Sequence, residues 1–431
     1  MWLHRVVSQP GLARRLGTFD AVIIGLGSML GAGVFAAFSP AAGVAGAGLL
    51  IGLAVAALVA YCNATASAQL AAEYPTSGGT YIYGRERLGA SWGFLAGWGF
   101  VVGKIASCAA MALTFAAYVA PPGWQQPVAV AAVIVLATVN YYGITRTAGL
   151  TKIIIVVVLA TLALVVAASL SGQPGTTAVQ TWDLLSGGWY GILQSAGLLF
   201  FAFAGYARIA TLGEEVRDPE HTIPRAILTA LTIAVLIYLV VGASILVALG
   251  PAGVAASTAP LAAAVDASGW VWASLPVRAG AAAAALGALL ALIAGVGRTT
   301  LAMARHDDLP RWLAAVHDRH QVPHHAEIAV AGLVCVLILL TDLRGAIGFS
   351  SFGVLLYYLI ANVAAYTQSP ERRRFSRILQ VIGMAGCGIL ALTLPLSAVI
   401  GGALVFAVGI IHRAILVRIR RSRLRSQNGA T

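Results

Sequence analysis

Apolar residues gather in about twelve long blocks, near 20–43, 45–70, 91–120, 127–144, 151–171, 189–211, 225–249, 277–303, 327–342, 345–367, 377–393 and 395–416. Most approach the roughly 20 residues that an α-helix needs to cross a bilayer. The pattern predicts an all-α polytopic membrane protein with about 12 transmembrane helices. The last two blocks are parted only by a turn near Thr393–Pro395. An Ala/Ser/Pro-rich stretch over 250–276, with Asp266 and Trp270, reads as an outer loop that is partly helical.

Composition narrows the class. Of 431 residues 59% are hydrophobic and 10% are Asp, Glu, Lys or Arg, against about 25% charged in an average soluble domain. Mean hydropathy is +0.88. A soluble globular domain, a disordered chain and a coiled coil are all excluded. The net charge of +12 would suggest nucleic acid in a soluble protein, so the position of the charges decides. With the N-terminus inside, 22 of the 27 Lys and Arg fall in cytoplasmic segments, Arg278 and Arg344 fall outside, and Lys104, Arg208 and Arg298 lie within the blocks. That bias predicts a plasma-membrane protein with both termini cytoplasmic. The basic stretch Arg413 to Arg425 is expected to meet anionic lipid headgroups. Cys62, Cys108, Cys335 and Cys387 lie in apolar stretches and read as packing residues. The first block is too long for a signal-peptide core.

Two blocks are interrupted by glycine at mid-membrane depth. The first carries GSMLGAGVF, Gly27 to Phe35, and the sixth carries FFAFAGYA, Phe200 to Ala207. They are five helices apart, and an odd offset means that the second set of five enters from the opposite side. This is the pattern of an inverted repeat, with paired broken helices at the substrate site. Unwound backbone at that depth leaves N–H and C=O groups that lipid cannot satisfy. Amides freed at Gly31–Gly33 suit a carboxylate. Carbonyls near Ser28, Met29 and Phe203 suit an ammonium group. A zwitterion such as an α-amino acid matches both. The same glycines also fit close helix packing, as Gly27-xxx-Gly31 illustrates.

Several further segments carry a resemblance. They are FDAVIIGLGSMLGAGVF at 19–35, EYPTSGGTYIYGRERLG at 73–89, FFAFAGYARIATLGEEVRDPEHTIPRAI at 200–227, GRTTLAMARHDDLPRWL at 297–313 and FGVLLYYLIAN at 352–362. Together the chain resembles the amino acid–polyamine–organocation (APC) family of permeases, closest to its bacterial cationic-amino-acid-transporter-like branch. The resemblance implies a five-plus-five inverted repeat with broken helices 1 and 6 and two extra helices. It places the first repeat at 20–171, the second at 189–367 and the extra pair at 377–416. A cytoplasmic segment, 1–19, and a basic tail, 417–431, flank them. It implies alternating access around a site between helices one, three, six, eight and ten. Ser28, Met29, Gly31, Ala32 and Gly33 would line the first break. Phe203, Ala204 and Gly205 would form the second. Phe201 falls where the family often has an aromatic gate over the substrate.

Charge then bears on the substrate. All fifteen acidic residues can be placed at helix ends or in loops. Relatives that carry cations often have an acid where Gly103 and Ala207 stand, so a neutral amino acid is favoured over a cationic one or a polyamine. Lys104, in the third block, has three readings. It snorkels to the headgroups, or changes protonation through the cycle, or attracts an anionic substrate group. Some proton-coupled relatives carry a lysine in the fifth helix, where Val158 stands here; Lys152 is earlier and reads as interfacial. Thr299 and Thr300 are the weak candidates for a sodium site. Arg208 and Arg298, with Glu214 and Glu215, form a possible inner gate or are simply interfacial. His306, His317, His320, His324 and His325 read as scattered through a solvated loop rather than as metal ligands. No cofactor motif is present. The expected function is a secondary active transporter of amino acids, proton-coupled, with exchange or export left open. A channel would show charged rings or a repeated filter, and an enzyme would need converging acid/base or metal residues.

Overall fold

The computed structural model describes residues 16–75, 78–143, 148–171, 183–213 and 215–428. Glu214, one of the gate candidates, lies outside the described residues. The rest is almost entirely helical. Among the described residues nine spans are long and apolar enough to cross a membrane, and three shorter apolar helices accompany them. Leu340, Leu392 and Leu396 are each more than 70% exposed. Apolar faces of this kind, spread over helix after helix, are what a bilayer covers. The chain is a multi-pass membrane protein.

The first apolar block is three helices, α1 (Thr18–Met29), α2 (Ala32–Ala36) and α3 (Phe38–Ala45). Leu30 closes α1 through its amide to the Leu26 carbonyl, and Gly31 at ψ −135° turns the chain off the helical path. Gly46, at φ +56°, ends α3. Then come α4 (Leu49–Glu73), α5 (Gly79–Leu88), α6 (Ala90–Val119), α7 (Gln125–Tyr141) and α8 (Ala148–Ser171). The sixth block is α9 (Gly188–Phe203), a 3-10 turn over Ala204–Tyr206, and the one-turn helix α10 (Ala207–Ala210). After it come α11 (Pro219–Ala256), α12 (Pro260–Ala267), α13 (Val271–Arg305), α14 (His324–Leu340), α15 (Leu343–Tyr366), α16 (Arg377–Thr393) and α17 (Leu396–Asn428).

The stretch 250–276 is more ordered than a loop. Helix α11 bends at Gly250 (φ +67°), where Pro251 follows, and resumes to Ala256. The turn before α17 falls at Leu394–Pro395, next to the position expected from the sequence. The core seam is α6 against α15. Glycines make it close: a Cβ added at Gly103 would lie 3.1 Å from the Ser350 carbonyl, and one at Gly353 would lie 2.8 Å from the Gly103 Cα. Ser107 and Ser350 hydroxyls meet there at 2.7 Å.

At one end of the bundle a carboxylate is buried. Asp308, 5% exposed, follows α13. It accepts from Tyr81 Oη (2.9 Å) and Arg85 (3.1 Å) of α5 and from Arg413 of α17. Burial, then the Asp308 charge, holds the Tyr81 phenol well above its ordinary range, so it stays a donor. Three separated chain segments are joined through this one side chain. Removing one partner of a buried ion pair strands the others. Asp308→Ala is expected to cost about 3 kcal/mol and to lower the melting midpoint in detergent. Arg311→Ala, which removes only the exposed pair with Asp307, is expected to leave that midpoint in place.

Candidate functional site

The two interruptions touch. A Cβ added at Gly205 would fall on the Ser28 carbonyl group and 2.6 Å from the Met29 amide nitrogen. One added at Gly33 would lie 2.6 Å from Ala202 Cα. So the backbones of the first and second breaks are in direct contact, and only glycine permits it. Gly31 faces α13, where its Cβ would meet Ala288 at 2.8 Å. Met29, Phe201, Phe203 and Ala204 are all buried.

The released carbonyls are shared among side chains from other helices. Tyr238 of α11 donates its hydroxyl to the Met29 carbonyl (2.6 Å), and the Ala202 carbonyl lies 3.0 Å away. One phenol thereby spans both breaks. The Ala204 carbonyl receives Lys104 Nζ of α6 (3.3 Å) and the Tyr358 hydroxyl of α15 (3.4 Å). Tyr358 also stacks on Tyr206 at 5.0 Å and meets Phe200 edge-on at 5.8 Å. The two broken helices thus lie back to back, walled by α6, α13 and α15.

Comparison with known proteins decides the family, since the amino acid permease family matches the chain over residues 16–412. The chain belongs to this family. An uncharacterised transporter of Mycobacterium tuberculosis is 56% identical over 420 residues, 97% of this chain and 95% of that protein. The branched-chain amino acid permease BcaP of Bacillus subtilis is 25% identical over 410 residues, 89% and 87% of the two chains. Human cationic amino acid transporter 4 is 28% identical over 379 residues, 81% of this chain and 59% of that protein. This is a family of transporters, not of enzymes.

In the permease, Lys104 does not snorkel. It is 6% exposed and turned inward to Ala204. The Met29 carbonyl, counted from the sequence among the free acceptors, is already occupied by Tyr238. Arg208 and Arg298 are exposed. Arg208 donates to Thr211 Oγ1 at 3.3 Å, and among the described residues no ion pair joins either arginine to Glu215. Glu215 instead gives its backbone carbonyl to the Leu16 amide (3.0 Å), while Arg217 donates to the Leu16 carbonyl (2.9 Å). This bridge ties the entry of α1 to the exit of α10. Lys152, read as interfacial, pairs with Asp20 in the first turn of α1 at 2.9 Å. Thr299 turns its hydroxyl back to the Gly295 carbonyl (3.2 Å), whereas Thr300 Oγ1 is buried.

The loop histidines are not scattered. His317 lies 4.7 Å from His320 and 5.3 Å from His324, ring to ring, against Tyr141. His317 Nδ1 accepts from the amides of Arg319 and His320. Among the described residues no group of His, Cys, Asp or Glu is arranged to hold a metal ion.

Tyr238 and Tyr358 were not singled out from the sequence. Their signal was there: a phenol inside an apolar run must find a polar partner when buried. Tyr238→Phe is expected to leave the Met29 carbonyl unpaired and to lower stability by about 1–3 kcal/mol, read as a drop in detergent melting temperature. Gly205→Ala is expected to disrupt the contact of the two breaks and lower both folded yield and melting temperature. Gly295→Ala, with open space around it, is the control and is expected to preserve both.

Proposed function

We propose that this permease is a secondary active transporter that moves a neutral amino acid across the plasma membrane, together with a proton, by alternating access. The reading rests on one observation, the direct contact of the two helix interruptions at Gly205 and Ser28–Met29. The proposed architecture is twelve crossings in two inverted sets of five, 20–171 and 189–367, with an added pair at 377–416. Both the segment 1–19 and the tail 417–431 lie on the cytoplasmic side in this reading, the tail against lipid headgroups.

In the proposed site, Gly31, Ala32 and Gly33 offer amides to the substrate carboxylate. Ser28, Met29, Phe203, Ala204 and Gly205 surround its ammonium end, and Phe201 closes over it. With the Met29 carbonyl spent on Tyr238, the ammonium contacts narrow to Ser28 and the second break. Alternating access then repacks α1 and α10 about the Leu30–Gly31 and Ala204–Tyr206 turns. Lys104 is the proposed coupling group, because an amine lodged at a helix break can gain or lose a proton as the break rearranges. Thr299 and Thr300 make a poorer sodium site, since Thr299 is engaged by its own helix.

Two features support a neutral substrate. Gly103 packs on the α15 backbone, which leaves no room for an acid there, and Ala207 occupies the other acidic position of cation carriers. The relatives' printed substrates, branched-chain for one and cationic for others, span both classes. A cationic amino acid or polyamine carrier, or an exchanger or exporter of the same fold, is the second reading.

Uptake into proteoliposomes of alanine, leucine, glutamate, arginine and putrescine, with and without an inward proton gradient, tests this. Uphill accumulation of alanine or leucine, stimulated by the gradient, is the expected result. Arginine or putrescine moving alone would remove the neutral assignment, and purely downhill, unsaturable flux would make the protein a channel. Lys104→Met is expected to reduce gradient-driven accumulation about tenfold, ~1.4 kcal/mol, while the purified variant keeps a monodisperse elution profile. Accumulation with unchanged pH dependence would free Lys104 from the coupling role.

A further inference from the structure

We propose that Lys104 sets the charge selectivity of the permease: its ammonium, lodged at the Ala204 carbonyl, excludes substrates with a cationic side chain. The inference rests on reading the two breaks as the substrate site.

The argument starts from the acceptor. The Ala204 carbonyl opens the 3-10 turn that interrupts the sixth span, where the regular helical hydrogen-bond ladder lapses. A released carbonyl beside a substrate site is where a second cation would bind. In this permease that place is filled by the protein's own cation, Lys104 Nζ, at 3.3 Å, with the Tyr358 hydroxyl at 3.4 Å on the same oxygen. A guanidinium or ammonium side chain entering there would lose an acceptor and face a like charge in surroundings of low dielectric, where repulsion is strong.

Among the described residues Lys104 forms no ion pair. The adjacent Gly103 lies against the Ser350 carbonyl, with 3.1 Å for an added Cβ, so the neighbouring position cannot hold an acid without moving α15. Beyond the break, Arg208 is exposed and donates to Thr211 Oγ1, and Arg298 is exposed on α13. The positive charge at the break is therefore that of Lys104 itself, while Glu327, packed on Gly297, lies beside Arg298 at the approach. A neutral side chain is indifferent to that charge, whereas a cationic one meets it at the break.

The test measures selectivity rather than coupling. The full-length protein is reconstituted, and initial uptake of arginine and of leucine is compared at pH 6 with no gradient, for wild type, K104M, K104E and K104R. The arginine-to-leucine ratio is expected to rise at least about tenfold in K104E, equivalent to ~1.4 kcal/mol. It should rise less in K104M and stay low in K104R, which keeps the charge. An unchanged ratio in both K104E and K104M overturns the inference, as does a wild type that already prefers arginine. If K104E folds but does not transport, ligand-induced shifts of its melting temperature read the same preference. Stronger stabilisation by arginine than by leucine supports the filter, and the wild-type order overturns it. A wild type that takes up no amino acid at all overturns the underlying site reading, and is recognised before any variant is made.

Discussion

The structure turns on backbone groups that a bilayer cannot satisfy. Two helices stop side by side, and each stop leaves carbonyls and amides without partners in their own helix, which hydrocarbon cannot supply. The protein answers with side chains from distant parts of the chain: Tyr238 from α11, Lys104 from α6 and Tyr358 from α15. These contacts dictate how the surrounding helices are placed. Helix α6 must run close enough to the second break for a lysine to reach it, and the glycine seam with α15 is what brings it there. A break satisfied partly by movable side chains is also one that a ligand can re-satisfy, which is the physical basis of a carrier.

Charge is distributed by the same logic. The buried Asp308 carboxylate is saturated with donors, from Tyr81, Arg85 and Arg413. Among the described residues the one amine deep among the helices has no carboxylate partner and instead binds peptide oxygen. The two ends of the broken helices are secured differently. Asp20 and Lys152 hold the base of α1 to α8 by an exposed ion pair, and the Leu16–Val216 bridge joins α1 to the segment after α10 through backbone bonds. An exposed pair is worth little, whereas the bridge is directional. The entry of α1 is thus tied both to α8 and to the segment after α10.

Membership in the amino acid permease family fits a chain whose polar residues are spent on helix breaks and end networks rather than on a reaction centre. Relatives with different printed substrates match the chain over most of its length. Of the side chains that reach the breaks from neighbouring helices, Lys104 is the charged one.

Much of this was legible in the amino-acid sequence. Apolar length and the bias of arginine set the class, because bilayer thickness and charge cost act on any segment regardless of its neighbours. The glycines at 27–33 and 205 marked both interruptions, since a break needs residues without side chains wherever it is made. The sequence could not say where the released carbonyls go. Tyr238 and Ala202 are 36 positions apart, Lys104 and Ala204 are 100 apart, and Tyr358 and Ala204 are 154 apart. Nothing local distinguishes a lysine that reaches headgroups from one that turns inward; the side chain is long enough for both. Nor does spacing reveal that His317, His320 and His324 converge on Tyr141. Period and composition determine which segments become helices, because those forces act along the chain. Which polar group meets which depends on the packing of helices far apart in sequence, and only the tertiary structure decides it.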